Sequence, residues 1–419
     1  MNLLIKSAII IESNNLLHNK QQDLLIENGI ITKIDTTIKN DQGYDEVSLE
    51  NLHVSCGWFD TSVSFGEPGY EERETIINGL STAAKSGFTA VAVNPNTTPK
   101  IDNKAAVEFL INKGTSSATS LYPIGNITKN AEGADMAEMY DMQNSGAIAF
   151  SDYNSPIANA NLTKVALLYA QNFDGLVLSF PQDNSIARDG LVNEGETSTL
   201  LGLKGVPSLA EELQISRDLF LLEYTGGKLH IPTISTAKSV QLIAQAKVKG
   251  LDVSCSVSAH HLTLTDEELH GFNTNARVTP PLRTLSDLKA LLKGVNEGVI
   301  DMITSDHNPI DIEHKKVEFD NAKPGTIGLE SLFGALNQKL DLEILIRTLT
   351  TNPRNRFGLK KRTINVGEIA DLTFFNPNSK YIFNKSHIIS TSKNSIFLNK
   401  KMKGTVYGIF SNNQLILNT

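Results

Sequence analysis

Apolar residues along this chain recur in two rhythms, and the rhythms are segregated. Residues 1–55 and 363–419 read as short strands separated by turns. At the front these are Leu3–Ile11, Asp23–Glu27 and Ile30–Ile34, with Asn28-Gly29 between the last two. An Asn-Gly pair between apolar runs is the strongest short-range signal for a hairpin. At the back they are Asp371–Asn376, Ser395–Phe397, Thr405–Phe410 and Gln414–Leu417. Neither end is long enough to bury a sheet face alone, so the two are expected to pair into one small β domain.

Between the ends, Val- and Ile-rich runs alternate with amphipathic stretches. Strands are expected at Phe88–Val93, Ala147–Phe150, Leu176–Phe180, Lys228–Ile231, Leu251–Val257 and Met302–Thr304. Helices are expected at Asn103–Lys113, Leu162–Gln171, Leu209–Glu223 with Ser208 as its N-cap, Ala237–Lys249 closed by Gly250, and Leu285–Asn296. Repeated strand–helix units predict a parallel sheet with helices outside. About 300 residues and around eight strands favour a (β/α)8 barrel of the TIM type over an open sheet. The predicted organisation is α/β: a barrel over 56–362 and a composite β domain from 1–55 with 363–419.

Composition narrows the function classes. The 419 residues carry 38 Lys+Arg against 46 Asp+Glu, a net charge of −8. That balance argues against a nucleic-acid binder, which needs a basic patch. No window of about 18 apolar residues is present, so no membrane-spanning helix is expected. Two cysteines, Cys56 and Cys255, make no disulfide framework, which points to a reducing cytoplasm and to buried, inert thiols. Neither a G-x-G-x-x-G nor a P-loop motif follows a strand. Lys400-Lys401-Met402-Lys403 reads as a solvated hairpin tip.

The stretch from Gly57 to Gly69 (GWFDTSVSFGEPG) resembles the first barrel strand of the dihydroorotases, in the amidohydrolase superfamily, where the pattern is P-G-[FWL]-[IV]-D-x-H-x-H-x-R-x-P-G. Further motifs follow in family order: Asn94-Pro95-Asn96-Thr97, Ala149-Phe150-Ser151-Asp152, Leu201-Gly202-Leu203-Lys204-Gly205, His260-His261-Leu262, Pro280-Pro281-Leu282-Arg283, Ser305-Asp306-His307, Gly328-Leu329-Glu330 and Gly367-Glu368-Ile369-Ala370-Asp371. Each is weak alone; together they span almost the whole chain and are closest to the longer bacterial type. The resemblance implies hydrolysis of the cyclic amide of dihydroorotate, or its reverse, in pyrimidine synthesis. It also implies one or two zinc ions at the barrel mouth. Zinc lowers the pKa of bound water to about 7 and polarises the carbonyl, and a carboxylate on the last strand takes the proton.

The residues that carry this chemistry in the family are substituted. The two His of H-x-H align with Ser62 and Ser64, the His ending the fifth strand with Phe180, and the His ending the sixth with Thr233. Hydroxyls and a phenyl ring do not replace imidazole, thiolate or carboxylate as zinc ligands. Asp306 remains. Asp152 matches one of two family acids, the other being replaced by Tyr153, and the resemblance leaves open which of the two ligates. The Arg that clamps the substrate carboxylate aligns with Gly66, a second carboxylate contact with Ile310, and the Asn before Pro-Pro-Leu-Arg with Thr279. Asn96 alone is kept.

Other histidines have structural readings. His260 and His261, adjacent on a strand end, are expected to point to opposite faces. His230 reads as a strand-end core residue, and His307 as pointing away from Asp306 into a hydrogen bond. Two functions follow from the resemblance. One is a catalytically inactive dihydroorotase-like subunit without a cofactor, homo-oligomeric, with aspartate carbamoyltransferase as a candidate partner. In that case Asp306, Asp152 and Asn96 are vestigial. The other is an active cyclic amidohydrolase, dihydroorotase or otherwise, with Asp306 and Asp152 as its acid/base pair.

Overall fold

The computed structural model of the chain describes residues 1–13 and 15–418. Eight parallel strands form the barrel: β1 (Trp58–Val63), β2 (Phe88–Val93), β3 (Ser120–Gly125), β4 (Ala149–Phe150), β5 (Leu176–Leu178), β6 (Lys228–Ile231), β7 (Val253–Ser258) and β8 (Met302–Thr304). They are hydrogen-bonded in sequence order. The ring closes where Val63 bridges His307 in parallel and the Ser64 N–H donates to the His307 carbonyl at 2.7 Å. Helices Ile76–Lys85, Lys104–Gly114, Ala160–Ala170, Ser208–Thr225, Ala237–Val248, Leu285–Asn296 and Leu342–Leu349 are the longer ones that follow the strands.

The barrel interior is packed, not hollow. Phe59, Ala90, Ala92, Ile124, Ala149, Leu176, Leu178 and Met302 fill it, large beside small, as barrel cores require. Phe357 seals it from below, edge-on to Phe59 at 5.7 Å and to His230 at 5.9 Å.

A second eight-stranded sheet is built from both ends of the chain. Leu3–Ile10 pairs antiparallel with Gln21–Glu27, which turns at Asn28-Gly29 into Ile30–Asp35. Both turn residues have positive φ, 52° and 79°, the backbone that a two-residue hairpin of this hand needs. The two chain ends meet where His53–Cys56 pairs antiparallel with Leu372–Ile382, Leu372 opposite Cys56. Leu3, Ile5, Leu24, Ile26, Val54, Phe374 and Phe410 make its core.

Three local expectations are corrected. Ser395–Phe397 is turn, not strand, because the Ile396 N–H is bonded to the Thr326 hydroxyl, outside any strand ladder. Lys401–Lys403 is no hairpin tip: it opens the strand Lys401–Ser411, opposite Lys380–Ile382, and Lys400 Nζ donates to Glu268 Oε1 at 2.6 Å. Ser208 is the first residue inside its helix rather than the cap. Pro207 holds the cap position, with the fixed φ of −65° and no N–H to satisfy.

Candidate functional site

The C-terminal ends of the strands converge on one mouth, where barrels of this kind carry their chemistry. Period-two alternation in β1 sends Ser62 and Ser64 to the same face. Both are buried, 7% and 3% exposed. Asn94, just past β2, donates from Nδ2 to Ser62 Oγ at 3.2 Å and to Ser64 Oγ at 3.4 Å. Ser62 Oγ donates to Asp306 Oδ1 at 3.4 Å. Asp60, two residues back along β1, accepts from the Ser62 N–H at 3.1 Å and the Ser305 N–H at 2.9 Å, so it ties β1 to the segment after β8. Phe180 and Thr233, at the ends of β5 and β6, are each 4% exposed and face the same space.

Electrostatically the mouth holds two coupled carboxyls and neutral rings. Burial, and secondly the Asp60 carboxylate, push Asp306 up to about 7; burial alone takes Asp60 to about 6 against its hydrogen bonds. Burial and then Asp306 push the Tyr153 phenol above its ordinary range. His230 is driven well below its usual value by burial, then by Arg356 and Lys247. Its ring nitrogens are both occupied, Nδ1 with Ser254 Oγ at 2.8 Å and Nε2 with Ser256 Oγ at 3.2 Å. The space left among Thr61, Ser62, Asn94, Tyr153, Phe180 and Thr233 is about 20 Å³, room for one water.

This donor set does not fit zinc. The four positions Ser62, Ser64, Phe180 and Thr233 supply three hydroxyls and a phenyl ring. Among the described residues the imidazole beside Asp306 is that of His260, whose Nε2 lies 3.9 Å from Asp306 Oδ2. Asp152 is spent elsewhere. Its Oδ1 accepts the Ile127 and Thr128 N–H groups at 2.9 and 3.0 Å, and its Oδ2 the Thr128 hydroxyl. Among the described residues no group of three or more His, Cys, Asp or Glu side chains is placed to hold a metal ion.

The positions that the resemblance aligns with the family's substrate anchors are closed as well. A Cβ at Gly66 would lie 1.8 Å from the Tyr70 carbonyl oxygen, so no side chain fits this backbone. Ile310 is 4% exposed, its N–H held by Asn394 Oδ1 at 3.1 Å. Asn96 is present, with its Oδ1 buried and without a partner.

Two sequence expectations fail here. Asp306 and Asp152 do not form a pair: Asp152 holds the loop 126–128, and the carboxyl that couples to Asp306 is Asp60. His260 and His261 do not oppose each other. They follow β7 in a turn, outside the pleat, and their rings lie 4.6 Å apart. His261 bonds Ser258 Oγ at 2.7 Å, while both nitrogens of fully buried His260 lack partners. His230 and His307 are buried as expected, and His307 Nδ1 accepts the Gly328 N–H at 3.2 Å. Cys56 and Cys255 are free, buried thiols pushed up by burial. No helix is long and apolar enough to cross a membrane among the described residues.

Comparison with known proteins agrees with this architecture. Residues 53–239 match the family model described as Dihydro-orotase-like, and 207–413 the Amidohydrolase family. The chain is 40% identical to the Dihydroorotase of Ruminiclostridium cellulolyticum, over 95% of this chain and 94% of that one. It is 37% identical to the Dihydroorotase of Trichlorobacter lovleyi, over 96% of each. Among solved structures, L-hydantoinase (dihydropyrimidinase) from Arthrobacter aurescens superposes with a TM-score of 0.88 at 19% identity, covering 100% of this chain and 96% of that one. D-hydantoinase from Thermus sp. gives 0.83 at 18%, covering 99% and 95%. At such identity these two speak to the fold.

Proposed function

The chain belongs to the dihydroorotase family of cyclic amidohydrolases, and from that premise we propose that it is a member that no longer hydrolyses dihydroorotate and serves pyrimidine biosynthesis in the cytoplasm as a structural or regulatory subunit. One observation carries the reading: the four mouth positions that the family fills with imidazole are Ser62, Ser64, Phe180 and Thr233, and the space lined by Ser62, Phe180 and Thr233 is about 20 Å³. An amide is a poor electrophile and water a poor nucleophile. Without a Lewis acid the attacking water keeps its bulk pKa, roughly nine units above that of zinc-bound water. The loss reaches the substrate as well as the water, because a dihydroorotate carboxylate would meet Gly66 and Ile310 instead of a guanidinium and an imidazole. Asp306, pushed up to about 7, is poised to accept a proton, but the donor set around it activates no water to give one. Fold and site are separable in a barrel, so the outer surface can be retained for assembly, with aspartate carbamoyltransferase the first partner to try.

The names of the relatives favour a second reading, an active cyclic amidohydrolase. Proteins 37–40% identical over nearly the full chain are called Dihydroorotase. Under that reading His260 and Asp306 are the groups left to work with.

The two readings separate in one assay. The purified chain is given dihydroorotate, or carbamoyl aspartate for the reverse direction, with and without zinc, and its bound metal is measured. The proposal expects turnover at background in both directions and well under one zinc per chain. Zinc-dependent turnover with a stoichiometric ion establishes the second reading. Association with aspartate carbamoyltransferase is read by sizing the mixture at micromolar concentrations; two separate peaks remove that partner.

A further inference from the structure

Between the barrel wall and the β domain lies a cavity of about 530 Å³, within the roughly 300–1,000 Å³ that small-molecule sites occupy. It opens where the C-terminal end of helix Ile76–Lys85, the segment from Leu329 to Gly334 and the paired strands Leu372–Ile382 and Lys401–Ser411 come together. It shares no lining residue with the mouth.

Two polar atoms of its lining residues are buried and lack a partner, Glu330 Oε2 and Ser86 Oγ. Ser86 caps its helix and is 5% exposed. Its N–H is bonded to the Thr82 and Ala83 carbonyls, while its hydroxyl is idle. Glu330 is served on one side. Its Oε1 accepts the Ile389 N–H at 3.2 Å, the Ser390 N–H at 3.0 Å and the Ser390 hydroxyl at 2.6 Å. No protein donor reaches Oε2, although Lys85 borders the same cavity. Lys393, on the segment that Glu330 grips, gives its ammonium to the Ile388 and Ser390 carbonyls. Glu74 holds the next residue of that segment, accepting the Thr391 N–H at 3.0 Å and hydroxyl at 2.9 Å, so it adds a second carboxyl rather than a counter-ion. A carboxylate oxygen kept from water without a donor is costly, and a donor from outside the chain removes that cost.

The remaining wall is largely apolar and aromatic. Phe333 is fixed against Trp58 at 5.0 Å and Phe375 at 5.2 Å. Burial pushes the Tyr381 phenol up to about 12. A Cβ at Gly334 would lie 2.9 Å from Tyr381 Oη, so the glycine leaves the phenol its place. Leu329 and Val406 add aliphatic surface.

We propose that this cavity binds a small organic cation, a protonated primary amine with an aromatic body. The ammonium sits on Glu330 Oε2, with the Ser86 hydroxyl as a further polar contact, and the body lies against Phe333 and Tyr381. An ammonium has three donors and no acceptor, which is what an unserved carboxylate oxygen calls for, and aromatic faces attract cations. A carboxylate or phosphate would bring its charge against Glu330, and a hydrocarbon would leave both polar atoms idle. The site does not depend on whether the mouth is catalytic.

Calorimetric titration of the full chain with benzylamine at neutral pH tests this, with benzyl alcohol and benzoate in parallel. Benzylamine should bind saturably at one site per chain, and the alcohol and benzoate at least about tenfold more weakly. Glu330→Gln keeps an oxygen for the Ile389 and Ser390 N–H groups and removes the charge; it should weaken benzylamine by about tenfold or more. Ser86→Ala should weaken it several-fold and serves as the second variant should Glu330→Gln lower the melting curve. Asp306→Asn, at the mouth, should leave the affinity as it is. Absence of saturable benzylamine binding at millimolar concentration overturns the proposal and leaves the cavity to water. So does equal binding of benzyl alcohol, or an affinity that both Glu330→Gln and Ser86→Ala leave untouched. Loss of binding in Asp306→Asn also overturns it, by placing the amine at the mouth.

Discussion

Asp306→Asn reports directly on the charge at the barrel mouth. In the folded chain Asp306, with its side chain 12% exposed, holds its proton to about 7, whereas an unfolded aspartate releases it near 3.8. Between those values the unfolded state binds fewer protons than the folded one, so stability falls as pH rises. The slope is about 1.4 kcal/mol per pH unit for one group. Over roughly three units the penalty for carrying the buried carboxylate at pH 8 is on the order of 4 kcal/mol. Asparagine has the same shape and no charge. It keeps an acceptor for the Ser62 hydroxyl and removes the penalty along with the repulsion from Asp60. The assay is guanidinium unfolding of both proteins, with metal chelated, from pH 4 to pH 8. The two should coincide near pH 4 and diverge upward through pH 7, Asp306→Asn being the more stable by a few kcal/mol at pH 8. Asp60 keeps its own share of the slope in both. A carboxylate held ionised by a cation would behave oppositely, since its folded pKa would lie below the unfolded one and stability would rise with pH. A gap that stays flat across the range, or a variant less stable than wild type at pH 8, refutes the charge state assigned to the mouth.

Other expectations concern the frame around it. Gly66→Ala drives a Cβ to 1.8 Å from the Tyr70 carbonyl, and the loop must shift; a loss of about 1–3 kcal/mol in unfolding experiments is expected, and an unchanged midpoint would mean that an arginine could stand there after all. Asp152→Ala strands the Ile127 and Thr128 N–H groups and should cost about 2–5 kcal/mol by the same measurement, with a cost near zero restoring Asp152 to a role at the mouth. A thiol reagent should modify neither Cys56 nor Cys255 in the native chain and both in denaturant; fast native labelling would contradict their burial.

Much of the scaffold is legible in the order of residues, and the reasons for the misses are local. Phe88–Val93, Lys228–Ile231 and Met302–Thr304 are strands at the bounds that their apolar runs predict, and Leu285–Asn296 is a helix end to end. These are buried segments whose packing agrees with their propensity. Ser120–Gly125 escapes notice because Pro123 sits in it, and proline argues against a central strand. The family motif gives the positions of Ser62, Ser64, Phe180 and Thr233, but spacing alone cannot say what fills the place of missing ligands. Nor can it reveal that Asp60 on β1 is electrostatically joined to Asp306 beyond β8, a contact across 246 positions that exists only when the ring closes. The neighbouring His260 and His261 rings, tilted by 42°, mislead for a similar reason: the strand period stops at Ser258, two residues too early.

The backbone at the mouth separates inheritance from use. Tyr153, Thr233 and Asp306, at the ends of three different strands, all sit at left-handed φ of 54°, 52° and 49°. For a β-branched threonine this conformation is a true outlier, and strain of about 1–3 kcal/mol per site persists only where the surroundings impose it. The surroundings are visible: the Thr233 N–H is held by Ser256 Oγ at 3.2 Å, and the His307 N–H next to Asp306 by Ser305 Oγ at 3.1 Å. Strand ends and closing loops therefore dictate the mouth's backbone, whatever side chains it displays. The same turn that would aim an imidazole at a metal here aims a threonine methyl and hydroxyl at a space the size of one water. Under the proposed reading the chain keeps the backbone of a catalytic mouth, including its strain, with other side chains in the places of the family's ligands. The persistence of the backbone is accordingly no sign of activity; only the atoms at the tips of those four side chains bear on it.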